Sequence, residues 1–233
     1  MRNLNVRQNL RALELAFGGE RFLADCAGAL YWPDERTLIV SDLHFEKASF
    51  FASRGVMLPP YDTATTLDAL ARLIVLYEPS RVIALGDSFH DSAGGTRLSP
   101  ENRAFLLSLQ AGREWIWITG NHDPERIEQI GGEFCENFSR GDVVFRHQPG
   151  DGAFEIVGHF HPAARVSVRG RSLRRRCFAS SDRKLVLPAF GSLTGGFNIR
   201  DVVFSTFMGG DFFAHMLATE QVFSFAAANC LPD

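Results

Sequence analysis

The sequence has few cysteines, no long apolar run and little net charge. Its 233 residues include four cysteines, which are far apart and form no C-x-x-C pair. This spacing disfavours a disulfide framework and a structural zinc site, so reduced thiols are expected. No stretch of eighteen apolar residues could cross a membrane. The formal charge of −3 gives no global attraction for nucleic acid, so any affinity for phosphates must come from a local patch or bound metal.

Targeting signals and repeats are also missing. The opening MRNLNVRQNLRALELAFGG has neither the continuous apolar run nor the small-residue cleavage site of a secretion signal. We therefore expect a cytoplasmic protein with no membrane partner. No repeat, low-complexity segment or composition shift marks a boundary, so residues 1–233 are predicted to form a single domain.

Short apolar runs alternate with helical patterns along the chain. The runs TLIV, RVIAL, WIWI, DVVF, FEIV and KLVLP are typical of strands covered on both faces. YDTATTLDALARLIVLYEP has apolar residues at helical spacing, with Asp62 or Thr63 as the expected N-cap. SPENRAFLLSLQAG predicts a second helix, with Ser99 as N-cap and Pro100 at its first position. Together with strands expected near the N-terminus and in the Phe-rich tail, this alternation predicts an α/β fold with a mixed sheet or two packed sheets.

Polar side chains follow five of the apolar runs. SDLH follows TLIV, GDSFHD follows RVIAL, GNHD follows WIWIT, His147 follows VVFR, and GHFH follows FEIV. Ligands of open α/β sheets bind beyond the carboxyl ends of the strands. Six of the seven histidines lie in these five places, and His215 is the exception. Solvated polar residues have no reason to choose strand ends, so we interpret the blocks as parts of one site.

Each block taken alone also has a structural explanation. The blocks SDLH and GDSFHD could be ordinary turns. In the block GNHD, Asp123 is expected to cap a short helix, PERIEQI, that begins with a proline. His159 and His161 are two residues apart in an extended segment, which puts them on one face in chelating geometry. Five independent coincidences at five strand ends are improbable, so a metal site is the better interpretation.

The donor inventory predicts a site for two metal ions. There is no H-E-x-x-H motif, which disfavours a zincin. Seven mixed nitrogen and oxygen donors are too many for one tetrahedral ion and suit two ions that share a carboxylate. Such ligation favours Mn, Fe or Zn over Mg or Ca, and we expect two divalent ions, Mn²⁺ first with Fe or Zn as alternatives. The candidate ligands are Asp42, His44, Asp87, Asn121, His147, His159 and His161.

The pattern DLH…GDSFHD…GNHD…H…GHFH resembles the calcineurin-like metallophosphoesterases, with all five blocks in order. The resemblance implies a four-layer α-β-β-α sandwich with two mixed β-sheets and a dinuclear centre at the strand ends. It also implies that His122 is the active-site histidine, which stabilises the transition state and protonates the leaving oxygen. The implied ligand sets share Asp87 and are Asp42, His44, Asp87 and His161 for one metal, and Asp87, Asn121, His147 and His159 for the other.

A closer resemblance covers residues from about Thr37 to Asp201. HFEKASFFASRGVMLPPYDT, ALGDSFHD, GHFHPAARV, RRRCF and PAFGSLTGGFN are similar to segments of the bacterial DNA ligase-associated metallophosphoesterases. This resemblance implies a phosphodiesterase or endonuclease of the DNA damage response. It also implies a functional association with an ATP-dependent DNA ligase and a helicase.

Two further features are candidates for substrate contact. His90 either touches the substrate, orients the metal site, or simply starts a loop. The segment RVSVRGRSLRRRCFA follows GHFHP and has Gly170 near an expected hairpin turn. Its residues Arg174, Arg175 and Arg176 could hold a polynucleotide backbone, or they could be charges that discourage pairing of an exposed sheet edge.

The sequence therefore favours a metal-dependent hydrolase that acts on nucleic acid phosphodiesters. One alternative keeps the chemistry and changes the substrate to a small nucleotide or another phosphoester. A non-catalytic scaffold on the same fold is disfavoured because His122 and all seven ligand positions are occupied by suitable side chains.

Overall fold

Two β-sheets pack face to face between helices in the computed structural model, which describes residues 11–123 and 126–233. The described strands are β1 (Ala12–Phe17), β2 (Glu20–Asp25), β3 (Leu30–Trp32), β4 (Thr37–Val40), β5 (Arg81–Leu85), β6 (Glu114–Ile118), β7 (Glu133–Cys135), β8 (Asn137–Arg140), β9 (Val143–Arg146), β10 (Phe154–Val157), β11 (Pro162–Val168), β12 (Arg171–Ser180), β13 (Lys184–Val186), β14 (Phe197–Asn198), β15 (Phe213–Leu217) and β16 (Val222–Ala226). The described α-helices are α1 (Lys47–Ala52), α2 (Asp62–Tyr77), α3 (Gly94–Arg97), α4 (Pro100–Gln110) and α5 (Val202–Met208). Short 3₁₀ turns occupy Glu128–Ile130 and Ala227–Asn229.

The first sheet contains β1 to β7 in sequence order. Strands β1 to β4 pair in antiparallel fashion, and β4 to β7 pair in parallel. The parallel register sets Ile39 opposite Ile83, and Ile83 opposite Ile116. Parallel pairing brings the carboxyl ends of β4, β5 and β6 side by side at one edge of this sheet.

The second sheet has the order β14-β11-β12-β13-β10-β9-β8, with β15 and β16 added beside β12. β9, β10 and β13 are parallel, whereas β11 and β12 form an antiparallel hairpin. The hairpin turn contains Arg169 and Gly170, both with left-handed backbone (φ 51° and 74°). The carboxyl ends of β9 and β10 are therefore neighbours, as are those of the parallel strands in the first sheet.

Alternating side chains divide the described residues into three apolar cores. Leu38 and Val40 of β4 pack against the helices α2 and α4, whereas Ile39 between them faces the second sheet. On the far side of the second sheet, Phe204 and Met208 of α5 cover a third core. Both faces of the inner strands are thus buried, which explains their continuous apolar sequences. The result is the predicted sandwich with two mixed sheets.

The six predicted strands and both predicted helices are confirmed, with differences at the ends and in the tail. Ser99 caps α4 by accepting a hydrogen bond from the backbone N–H of Asn102. The predicted side-chain cap of α2 is wrong, because the carboxylate of Asp62 accepts from the N–H of Ala48 instead. The tail contains the expected strands and also α5, which the sequence reading did not predict. No helix in the described part of the chain is both long and apolar enough to span a membrane.

His215 on β15 gives the fold a pH-dependent component of stability. The ring is 5% exposed and lies between the hydroxyls of Ser180 and Ser224, each 2.7 Å away. Burial lowers its pKa to about 4 from an ordinary value of 6.5. Because the folded state disfavours the proton, this contribution is present above pH 6.5 and is lost as the pH falls towards 4.

We expect His215→Gln to reduce the acid sensitivity of the fold. Between pH 7.5 and pH 5, wild-type protein should lose roughly 1–2 kcal/mol more unfolding free energy than the variant. Urea denaturation of metal-free protein at the two pH values measures the difference. Equal losses in the two proteins would contradict the assignment.

Candidate metal centre

The carboxyl ends of strands from both sheets meet at one place. β4 and β5 end just before Asp42 and Asp87, and β9 and β10 end just before His147 and Gly158. A hydrogen bond joins the sheets here, from Nδ1–H of His147 to the carbonyl oxygen of Leu85 (2.9 Å). Because that bond holds the proton on Nδ1, it leaves Nε2 of the ring available as a ligand.

One group of donor atoms combines Asp42, His44 and His161. One candidate ligand atom from each residue lies within 4.8 Å of the other two. Nε2 of His161 is 3.1 Å from Oδ1 of Asp42 and 3.3 Å from Nε2 of His44. The structure thus brings together three of the four residues that the sequence predicts for one metal.

A second group combines Asp87, His147 and His159, again within 4.8 Å of one another. Nε2 of His147 is 3.4 Å from Oδ1 of Asp87 and 3.2 Å from Nδ1 of His159. The amide oxygen of Asn121 is 2.9 Å from the same Nε2. All four residues predicted for the other metal therefore converge.

Asp87 lies between the two groups. Its Oδ1 faces His147, and its Oδ2 is 4.0 Å from Nε2 of His44. Donor atoms that share a cation at roughly 2.0–2.2 Å lie roughly 3–3.5 Å apart, and the spacings within each group agree with this. Carboxylate, imidazole and amide oxygen donors also suit divalent transition metals. The residues therefore fit a dinuclear centre with a shared carboxylate.

The candidate ligands are held in an unusual backbone conformation. Left-handed φ values between 45° and 69° occur at Asp42, His44, Asp87, His159 and His161. For residues other than glycine this conformation costs roughly 1–2 kcal/mol each. Backbone hydrogen bonds hold two of these turns, from Asp42 N–H to Gly86 O (3.2 Å) and from His44 N–H to Asp87 O (2.9 Å). The surrounding structure thus holds these residues in an unfavourable backbone conformation in which their side chains converge on the site.

Burial and charge set the protonation of the donors. Burial raises the pKa of Asp87, but hydrogen bonding and charge from His147 outweigh it and lower the pKa to about 2. Burial lowers the pKa of His147, and the two neighbouring aspartates outweigh it and raise the pKa to about 9. Burial dominates at His44 and lowers its pKa to about 3. The carboxylate is therefore ionised and His44 neutral, while a cation at His147 has to displace a proton.

Asp123 has a different role from the predicted one. Its Oδ2 accepts hydrogen bonds from the backbone N–H groups of Ser88 (2.7 Å) and Phe89 (3.1 Å), and its Oδ1 accepts from Gly120 (3.1 Å). Residues 124–125 lie outside the described part, and the described part of PERIEQI contains only a 3₁₀ turn. The predicted helix cap is therefore wrong. Asp123 instead ties the loop after β6 to the loop that carries Asp87.

His122 is oriented by backbone contacts. Its backbone N–H donates to Oδ1 of Asp87 (2.9 Å), and its Nδ1–H donates to the carbonyl oxygen of His90 (2.8 Å). Nε2 is consequently unprotonated in the neutral ring and lies 3.9 Å from Oδ2 of Asp87. The side chain is 41% exposed, so this nitrogen is positioned for contact with a molecule that enters from solvent.

The backbone of the segment PAFGS supports the site, a role that the sequence analysis did not assign to it. Phe190 N–H donates to Ser41 O (2.8 Å), and Gly191 N–H donates to Asp42 O (3.2 Å). A Cβ atom at position 191 would overlap the carbonyl oxygen of Leu43. The glycine is therefore required by the close approach of two backbones, and the adjacent small residues are the only sequence signal.

The three candidate arginines differ in their surroundings. Arg174 pairs with Asp233 (2.9 Å) and donates to the carbonyl oxygen of Gly196 (2.6 Å). Arg176 is half-buried and donates to the carbonyl oxygen of Ala189. Arg175 is exposed, and no acidic partner lies beside it among the described residues. Among the described residues, Arg175 is thus the member of the trio whose charge is least engaged by other groups of the chain.

Comparison with known proteins agrees with the geometry. The sequence model of the calcineurin-like phosphoesterases matches residues 35–176, more than half of the chain. Among solved structures, the Pseudomonas putida nuclease MPE is 26% identical with a TM-score of 0.71, covering 92% of this chain and 100% of that one. A protein of unknown function from Aquifex aeolicus is 17% identical with a TM-score of 0.40, covering 54% and 78%. No curated protein matches the chain significantly.

Gly86 offers a test of the packing that places His147. A Cβ atom at position 86 would lie 2.5 Å from the His147 ring. Gly112 is the matched control, because its φ of 74° equals that of Gly86 (73°) within a degree and a Cβ there would meet nothing within 4 Å.

We expect Gly86→Ala and Gly112→Ala to share a backbone penalty of roughly 1 kcal/mol, measured by chemical denaturation. Only Gly86→Ala should also weaken Mn²⁺ binding, by tenfold or more, because it displaces a predicted ligand. Isothermal titration of metal-free protein measures the affinity. Equal metal affinities in the two variants would show that the Gly86–His147 contact does not position the ligand.

Proposed function

Because the chain belongs to the calcineurin-like phosphoesterase family, we propose that this metal-dependent phosphoesterase cleaves phosphodiester bonds in nucleic acid. The observation that carries the proposal is the convergence of two donor groups on the shared carboxylate of Asp87. The substrate class is supported by the similarity to the Pseudomonas putida nuclease over nearly the whole chain.

The ligand roles follow from the two groups. Asp42, His44 and His161 would hold one divalent cation, His147, His159 and Asn121 would hold the other, and Asp87 would be shared by the two groups. Two cations, when bound, supply positive charge to the phosphate oxygens and lower the pKa of water. We propose Mn²⁺ as the native metal, with Fe or Zn as the alternatives that the mixed imidazole and carboxylate donors also suit.

His122 acts as the general acid in this proposal. The bond from Nδ1–H to His90 O fixes the ring, so Nε2 is the nitrogen that carries and delivers a proton. Its exposure allows contact with the oxygen that leaves phosphorus. Protonation of that oxygen matters most when the leaving group is a poor one, such as the alkoxide of a deoxyribose.

We also propose a role in DNA repair beside an ATP-dependent ligase and a helicase. The support is the similarity of the segments around the metal ligands and of PAFGSLTGGFN to the ligase-associated members of the family. Arg175, exposed on the hairpin that leaves the site, would contact the substrate backbone.

The first test is a substrate panel with metal-free and Mn²⁺-loaded protein. We expect Mn²⁺-dependent cleavage of a p-nitrophenyl phosphodiester and of DNA, and weaker cleavage of the matching monoester. Metal-free protein should be inactive on all of them. Strong monoester cleavage with no diester or DNA cleavage would contradict the proposed substrate and favour a small phosphoester.

His122→Asn tests the general acid within the same panel. We expect DNA cleavage to fall by roughly 10²–10⁴-fold, and p-nitrophenyl diester cleavage to fall far less, because p-nitrophenolate leaves without a proton. The metal content should remain that of the wild type, since only backbone atoms of His122 contact Asp87 within hydrogen-bond distance. Equal losses on both substrates would remove His122 from the role of acid.

A further inference from the structure

A row of rings leads from His122 away from the metal centre. The His90 ring stacks on the His122 ring, with centroids 5.4 Å apart and planes 20° apart. Phe50 and Phe51 on α1 lie 4.7 and 5.6 Å from the His90 ring. We call His90, Phe50 and Phe51 the ring wall. It begins at the proposed general acid and continues outward to the end of α1.

The ring wall is not explained by core packing. Within the described residues, neither Phe50 nor Phe51 belongs to any of the three apolar cores, and both side chains are half-buried. The loop after α1 also exposes apolar groups, with Val56 50%, Met57 81% and Tyr61 70% exposed. An apolar surface of this kind beside a catalytic centre indicates a ligand site.

Positive charge flanks the same surface. The guanidinium group of Arg54 lies over one face of the Phe50 ring, with its carbon 4.2 Å from the ring centroid. Lys47 is the first residue of α1, the helix that carries Phe50 and Phe51. Rings for stacking and cations for the backbone are the combination by which proteins bind single-stranded nucleic acid.

We propose that the ring wall holds the unpaired nucleobase of the leaving-group nucleotide, next to the phosphate that is cleaved. The inference rests on the proposed function and adds the position and pairing state of one base. The wall adjoins His122, which delivers its proton to the leaving oxygen, so the nucleoside attached to that oxygen lies on this side. The half-exposed rings can meet the face of a base only when that base is out of a duplex stack.

This contact is tested by measuring the cleavage of several modified substrates by each of several protein variants. The substrates are short oligonucleotides, assayed in the presence of Mn²⁺. Each has one cleavable phosphodiester linkage, and all its other linkages are methylphosphonates. One carries all its bases, and two others carry an abasic residue on the 5′ or the 3′ side of the cleavable linkage. The proteins are wild type, the double variant Phe50→Leu/Phe51→Leu, and the control Phe223→Leu. Leucine retains apolar volume, and Phe223 is 45% exposed on β16 at the edge of the second sheet.

We expect the double variant to lower kcat/KM on the complete substrate by roughly 5- to 100-fold, the range for loss of one stacked base. On one of the two abasic substrates, the kcat/KM of the wild type should be lower than on the complete substrate by a similar factor. The double variant should have the same kcat/KM on that abasic substrate as on the complete one. Phe223→Leu should match the wild type throughout.

Two outcomes would overturn the inference while leaving the nuclease proposal intact. The first is equal cleavage of complete and abasic substrates by the wild type, which would assign the exposed surface to another ligand. The second is an equal loss in the double variant on complete and abasic substrates, which would mean that the rings only position His122. Failure of the wild type to cleave any of the oligonucleotides would instead overturn the proposed function, and this inference with it.

Discussion

The site depends on the contact between the end of β5 in one sheet and His147 in the other. Gly86 leaves no side chain between them, and the bond from His147 Nδ1–H to Leu85 O fixes both the distance and the tautomer. This contact places Asp87 between two groups of donors, each of which combines residues from both sheets. Each sheet alone presents only part of either candidate ligand set, so the two sheets must meet here for the donors to converge.

Strain is the second constraint on the site. Five candidate ligands adopt left-handed backbone conformations that are unfavourable for aspartate and histidine. The turns at Asp42 and Asp87 are flanked by hydrogen bonds that Phe190 N–H donates to Ser41 O and that the Asp123 carboxylate accepts from the N–H groups of Ser88 and Phe89. The stability of the packed cores therefore offsets the strain and holds the donors close together in the metal-free protein. This arrangement reduces the free-energy cost of ordering the donors when a metal binds.

Much of this arrangement could be predicted from the sequence, because the fold follows general rules. Continuous apolar runs identified the doubly covered strands, and the polar residues after them identified the edge where ligands bind. The role of Asp123 could not be predicted, since its helix-cap pattern was a good local explanation and two of its three hydrogen bonds involve a loop more than thirty residues away. The same limit applies to PAFGS and to α5, whose partners are set by tertiary packing rather than by local sequence. The left-handed backbone conformation of the candidate ligands was also unpredictable, because local preference opposes it.

The central claim is that seven side chains form one cage for two cations. Anomalous diffraction from crystals of the protein grown with Mn²⁺ tests it most directly. We expect two manganese peaks, one among Asp42, His44 and His161, the other among His147, His159 and Asn121, with Asp87 in contact with both. A single peak, or peaks that lie away from Asp87, would contradict it.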